Sequence, residues 1–558
     1  MPITIARAIE SAGSPNDLTL RRTRLKKLLA ALAALALTTT AHAGFDPDRL
    51  AGLKARSIGP AGMSGRVAAI AALESDPDIV FAGAATGGLW RSRNGGLTWE
   101  PLFDDQPVHA IGSVAVFQPN PNILWVGTGE ANTRNSASVG NGVYKSMDGG
   151  KTWKNLGLAK SERIYRIHLH PTDPQVAWAC ATGPELGEGA ERGVFRTDDG
   201  GASWKRQLFV NEKTGCGDLA MEPGNPQKLI AAMWEFRRWP WFFKSGGPGS
   251  GLYVSHDGGA SWRKLQEEDG LPKGELGRIG VAIASSSPNV VYALVEAENS
   301  ALLRSEDGGR TFKTVNDKPK VAPRPFYFND LRVDPANPNR LFSIDYTPRV
   351  SEDGGRTFKP LPGATWALIH GDHHAMWIHP KDPSLIYVGN DGGVAVSRDA
   401  GRNFRFVSNL PLAQYYHVAV DMERPYNVYG GLQDNGSWRG PSSVWQKGGI
   451  RNYHFLEVGD GDGFETLPNS KDPQQGYSLS QGGHLMRWNL RTGEERSVRP
   501  AEPAGGPRLR FNWNAALATD PFEPDTVYLG SQFVHRSKDR GETWETLSPD
   551  LTSNNPEW

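Results

Sequence analysis

Short apolar runs closed by turn formers recur along the chain and set its first reading. Val114–Phe117 and Ile123–Val126 flank an Asn-Pro turn at 119–121, and a third run, Gly142-Val-Tyr144-Lys145, ends on a basic residue. The same third run appears as Gly88-Leu-Trp90-Arg91 and Gly193-Val-Phe195-Arg196. Runs this short, broken every few residues by Gly, Pro, Asn or Asp, predict strands rather than helices. Each unit therefore reads as strand A, turn, strand B, loop, strand C, a polar eight-residue box, and strand D. Four antiparallel strands repeated at a regular period predict the blades of a β-propeller.

The box follows strand C each time. Its copies are Ser92 to Trp99, Ser146 to Trp153, Thr197 to Trp204, Ser255 to Trp262, Ser305 to Phe312, Ser351 to Phe358, Ser397 to Phe404 and Ser537 to Trp544. The pattern is similar to the Asp-box, S-x-D-x-G-x-T-W, with Asn94, Asp148, Asp199, Asp257, Asp307, Asp353, Asp399 and Asp539 at the acidic position. A structural role is expected for these residues. The carboxylate accepts backbone N–H bonds across a tight hairpin, Gly supplies positive φ, and the Trp or Phe fills the gap beside the next sheet.

The first seven box positions are spaced by 46–58 residues, whereas 399 and 539 are 140 apart. That gap has room for three blades, two of them without a box, around Tyr416–Trp438 and Phe464–Trp488, with the last at Leu517–Trp544. The expected fold is all-β: a seven-bladed propeller of four-stranded antiparallel blades over 44–411, then three blades of a second, incomplete propeller over 412–558. A single ten-bladed ring is the alternative.

Composition agrees with many short strands, since Gly 65, Pro 40 and Trp 18 are spread along the whole chain. Lys+Arg 61 balances Asp+Glu 61, so no global field draws a phosphate backbone or an anionic membrane, and nucleic acid is not expected as a partner. Arg21, Arg22, Arg24, Lys26 and Lys27 precede the apolar run Leu28–Leu37 and then Ala41-His42-Ala43. That order predicts a signal peptide with an N-terminal extension over 1–43, export to the periplasm or beyond the cell, and no membrane span in the mature chain. Cys180 and Cys216 are the only cysteines. They are equally compatible with a disulfide and with two buried thiols. Oligomeric state is not readable.

Candidate chemistry gathers where strand A begins and strand B ends, on one face of the ring around the channel mouth. In His370-Gly-Asp372-His373-His374, Asp372 and His374 alternate onto one side of an extended strand and could hold a divalent metal, or Asp372 could orient His374 as a base. No cofactor is otherwise required. Asp460 and Asp462 occupy the equivalent place two blades later. Gln433, Asp434 and Asn435 leave strand B of the eighth blade and Glu130 that of the second, in loops suited to hydroxyl-rich ligands. A long loop in the fourth blade carries Trp234, Phe236, Trp239, Trp241, Phe242 and Phe243, with Trp239 and Trp241 as platforms for sugar rings or an apolar peptide, or as a cover for another domain.

The boxes and their order resemble bacterial exported Asp-box proteins labelled glycosyl-hydrolase-like or sortilin-like, and more distantly the two-propeller hydrolases that cut xyloglucan. The resemblance to the latter implies a catalytic base in a G-D-x-x-G-F stretch, matched by Gly459-Asp460-Gly461-Asp462-Gly463-Phe464, hence Asp460. The stretch that should carry the acid aligns with Ala85-Thr86-Gly87-Gly88-Leu89-Trp90, so Ala85 stands in its place, with Glu130 as a substitute carboxyl. The expectation is a glycan or extended peptide bound at the channel face. Glycoside hydrolysis through Asp460 and sortilin-like sorting or assembly are the alternatives.

Overall fold

The computed structural model describes residues 52–53, 55–59, 64–134, 137–502 and 505–555. The signal segment expected over 1–43 lies outside them. From Ile58 onward the chain forms one compact unit.

That unit contains ten sheets, each carrying four strands paired antiparallel in chain order, with a fifth strand added to the fourth sheet. In the second sheet, strand A is Ile111–Val116, B Leu124–Thr128, C Val143–Ser146 and D Lys154–Asn155, with the box between C and D as the sequence predicts. The first seven A strands are Val67–Leu73, Ile111–Val116, Ile164–Leu169, Thr214–Glu222, Ile279–Ile283, Asp330–Asp334 and His373–Ile378. Each packs against the next, and His373–Ile378 packs back on Val67–Leu73. Val67, Val80 and Trp90 of the first sheet share a buried cluster with Leu385, Tyr387 and Val396 of the seventh, so the ring closes through a continuous apolar interface. The remaining sheets begin at Tyr415, Gly463 and Leu517 and stack in that order.

The core therefore lies between sheets rather than in one central mass. Ala69, Phe81 and Leu89 of the first sheet, for example, are buried against Ile111, Leu124 and Val126 of the second. Strands buried on both faces explain why the apolar runs are nearly continuous instead of alternating.

The boxes hold the outer hairpins. Asp148 Oδ1 accepts the Thr152 N–H at 2.9 Å, Oδ2 accepts the Thr152 hydroxyl at 2.6 Å, and Ser146 Oγ accepts the Gly150 N–H at 2.8 Å. The Thr152 hydroxyl first, and its N–H next, hold the Asp148 carboxyl down at about 2. Gly149 and Gly150 sit at φ 73° and 89°, a region a Cβ disfavours. One detail of the expectation is corrected. The box Trp reaches back to the preceding sheet: Trp153 donates to the Leu102 carbonyl at 2.7 Å and Trp204 to that of Leu156 at 2.9 Å.

Cys180 and Cys216 form a disulfide between strand B of the third sheet and strand A of the fourth. The long fourth-blade loop is a hairpin: strand B runs on as Asn225–Trp239 and returns as Phe242–Ser245. Trp234 and Phe236 are buried and stacked at 4.2 Å, whereas Pro240, Trp241 and Phe242 at the tip and Lys244 on the returning strand are exposed.

Candidate functional site

The polar loops at the ends of the A and B strands meet in a cleft of about 690 Å³. Its carboxyls are Asp372, Asp391, Asp434 and Asp462, its cations Arg134 and Arg324, and its aromatic walls Tyr327, Tyr346, Trp366, Tyr416 and Trp513. Asp372 and Asp391 come from the seventh blade, Asp434 from the B-to-C loop of the eighth, and Asp462 from the link between the eighth and ninth.

Beneath the cleft lies Arg66, buried just before strand A of the first sheet. Its Nε and Nη2 each lie 2.7 Å from an Asp391 oxygen, its Nη1 2.9 Å from Glu130, and its Nη2 also 3.3 Å from Asp434. A bidentate pair of this kind fixes both groups in orientation as well as charge. Burial works against ionisation of Asp391, but Arg66 and His374 hold its carboxyl well below the usual range. The opposite happens to Asp434. Burial above all, then the negative charge of Asp391, pushes it up to about 9 against the pull of Arg66, so it carries a proton at neutral pH. Burial, and again Asp391, also raise Asp372.

Further bonds set these groups in place. Asn435 donates to the Asp391 carbonyl at 2.9 Å, and His370 Nε2 lies 3.0 Å from the Asp434 carbonyl. Asp462 accepts the Asp434 N–H and the Trp513 indole N–H, both at 2.7 Å. The amide oxygen of buried Gln433 faces the Arg134 guanidinium. The 433–435 loop is thereby clamped onto the seventh blade, and Asp434 takes φ 62° to do so, a strained choice for a residue with a Cβ.

Several sequence-based placements change. Asp460 is exposed and is not among the cleft residues. It sits in the loop between Gly459, which ends one sheet, and Gly463, which begins the next, and Asp462 is the member of the pair that faces inward. Asp372 and His374 do not share one side of a strand, because Asp372 has φ 53° and strand A begins only at His373. His374 turns under the cleft, with Nε2 2.7 Å from Asp391 and Nδ1 3.1 Å from Asn132. Both ring nitrogens are thus engaged, which leaves the expected metal without its imidazole ligand. No group of three or more metal-ligating side chains occurs among the described residues. Glu130 is fully buried against Arg66, out of reach of a ligand, and does not replace the carboxyl missing at Ala85. Trp239 and Trp241 lie on the fourth-blade hairpin, and neither is among the residues of this cleft.

Sequence reasoning passed over Arg66, Asp391, Trp366 and Trp513. Asp391 had a signal: Asn390-Asp391-Gly392 leaves strand B as Gln433-Asp434-Asn435 does one blade later. The aromatics had none, since nothing local marks a Trp as facing a cleft.

The fold is that of a β-propeller distantly related to xyloglucan hydrolases. A solved xyloglucanase from Xanthomonas campestris aligns with a TM-score of 0.51 at 16% identity, over 88% of this chain and 80% of that one. An ancestral GH74 enzyme aligns at 0.58 with 15% identity, over 88% of this chain and 69% of that one. Among curated proteins, a xyloglucanase of Acetivibrio thermocellus is 23% identical over 342 residues, 52% of this chain and 37% of its own length. An oligoxyloglucan-reducing end-specific xyloglucanase of Emericella nidulans is 28% identical over 184 residues, 29% of this chain and 23% of its own length. The chain thus spans well under half the length of either curated relative. The family model Sortilin-Vps10 (sortilin, neurotensin receptor 3) matches residues 141–270.

Proposed function

We propose that this protein is an exported propeller that binds a polysaccharide in the cleft. One observation carries the reading: Tyr346, Trp366 and Trp513 are 54%, 50% and 61% exposed on the walls of a cleft that also presents Asp372, Asp434 and Asp462. Aromatic faces exposed beside fixed polar groups suit sugar rings, whose C–H faces stack while their hydroxyls both donate and accept. The similarity to xyloglucanases makes xyloglucan the first polymer to try. The order of residues in 21–43 and the Cys180–Cys216 disulfide both favour an oxidising, exported setting.

A second reading, hydrolysis, is favoured by the protonated Asp434. A carboxyl that keeps its proton at neutral pH can hand it to a leaving glycosidic oxygen. Asp372, whose carboxylate makes no hydrogen bond among the described residues, would take a proton from the water whose oxygen bonds to the anomeric carbon as the glycosidic bond breaks. This assignment replaces Asp460.

The test is a screen of purified protein against polysaccharides that reads retention and reducing-end release together. Binding predicts retention weakened at least tenfold by Trp366→Ala. Hydrolysis predicts release that Asp434→Asn abolishes while retention persists. Absence of both retention and release for every polymer tried would remove both readings.

A further inference from the structure

The hairpin of the fourth blade carries features that neither folding nor the cleft uses. Its strands, Asn225–Trp239 and Phe242–Ser245, pair Arg237 directly with Lys244. Like charges opposite each other in an antiparallel pair are destabilising. Neither is neutralised: among the described residues, the Arg237 guanidinium and the Lys244 ammonium have no hydrogen-bond or ion-pair partner, and the Arg237 Nε is buried without one. The guanidinium instead lies over the Trp239 ring, 5.4 Å from its centroid.

Both cations face a hollow of about 220 Å³, completed by Trp239, Phe236, Glu235, Lys213, Glu188 and nearby glycines. The three basic groups outnumber the two carboxylates. Of the carboxylates, Glu235 already accepts the Gly249 N–H at 2.9 Å, and Glu188 stands 3.9 Å from Lys213. At the tip, Trp241 and Phe242 are 83% and 56% exposed. The hairpin leaves strand B on the cleft face, and its Phe243 touches Phe326 at 5.1 Å, over which lies Arg324 of the cleft wall.

We propose that this hollow is a second sugar subsite and that it takes an acidic residue, a uronate, of the polymer whose chain passes through the cleft. The proposal rests on the polysaccharide reading above. Arg237 and Lys244 form a two-pronged site for a carboxylate, and Trp239 offers a flat wall to the ring that bears it. A hollow of this size suits a single ring. An aromatic wall fits a sugar better than an extended acidic peptide, whose carboxylates come on flexible stems.

The test uses the full chain with polygalacturonate, neutral xyloglucan and poly-glutamate, comparing wild type with the double variant Arg237→Gln/Lys244→Gln and with Trp366→Ala. The double variant removes a repulsion, so its melting temperature should not fall. Its affinity for polygalacturonate should drop about tenfold, the scale of one charge-assisted contact, while xyloglucan retention stays unchanged. Unchanged polygalacturonate affinity in the double variant overturns the inference. So does poly-glutamate competing as well as polygalacturonate at equal charge. Xyloglucan retention without polygalacturonate binding sinks the hairpin subsite and spares the cleft. Polygalacturonate binding that depends on Arg237 and Lys244 but ignores Trp366→Ala does the reverse.

Discussion

Replacing Arg66 with Met tests the electrostatic account of the cleft floor most directly. Arg66 is buried and is the shared cation of Asp391, Glu130 and Asp434. Met keeps most of its bulk and removes its charge. Asp391 and Glu130 would then be buried carboxylates without their guanidinium, and breaking a buried pair from one side costs about 3–5 kcal/mol. The loss should depend on pH. In the wild type the Asp391 carboxyl is held below its unfolded value, so its contribution is present above about pH 4 and fades below it as the folded-state pKa is approached. In the variant the orphaned Asp391 carboxyl rises above its unfolded value, because burial then acts on it without Arg66, so the folded state binds the extra proton and loses stability as pH increases. The two stability curves should converge on acidification. Urea unfolding followed by tryptophan fluorescence at about pH 5 and pH 8 would measure this, with the deficit larger at the higher pH. Arg66→Met/Asp391→Asn should recover part of it by removing one stranded charge. A deficit below about 1 kcal/mol, or one equal at both pH values, would refute the account.

Trp153→Ala should cost about 2–4 kcal/mol in the same assay, through the lost bond to the Leu102 carbonyl and the edge contact with Phe103. Asp257→Ala should lower the melting temperature without changing ligand affinity per folded molecule, because both Asp257 oxygens serve Ser261 in a box of the outer hairpin. Box acids such as Asp257 and Asp353, held near 2, contribute stability that is present above their unfolded pKa near 4 and lost as pH falls toward 2. A melting temperature flat between about pH 5 and pH 2 would contradict this. Replacing Cys180 and Cys216 together by Ala opens a cross-link with a sequence separation of 36 and should cost about 4 kcal/mol by loop entropy. A loss under about 1 kcal/mol would show that packing of the two sheets suffices without it.

Much of this molecule was readable from sequence because its determinants are local. A box acid, its glycines and its Thr lie within five residues of one another, so their hairpin is specified before any distant contact forms, and the period of the box counts the strands. The A–B–C–D order of the second sheet and the boxless eighth and ninth sheets were legible for the same reason. The face that carries the cleft and three of its carboxyls, Asp372, Asp434 and Asp462, were legible too, but Arg66, Asp391, Trp366 and Trp513 were passed over, because what they do follows from where distant parts of the chain meet. Asp460 and Asp462 are indistinguishable as a pattern; one loop conformation turns the second inward and leaves the first in solvent. Alternation would have set Asp372 beside His374, yet a left-handed turn at Asp372 sends the two to different depths. The charge state of Asp434 is the clearest case. Its side chain is an ordinary carboxylate in the sequence, and it keeps its proton only because folding buries it beside Asp391, whose own charge Arg66 and His374 stabilise.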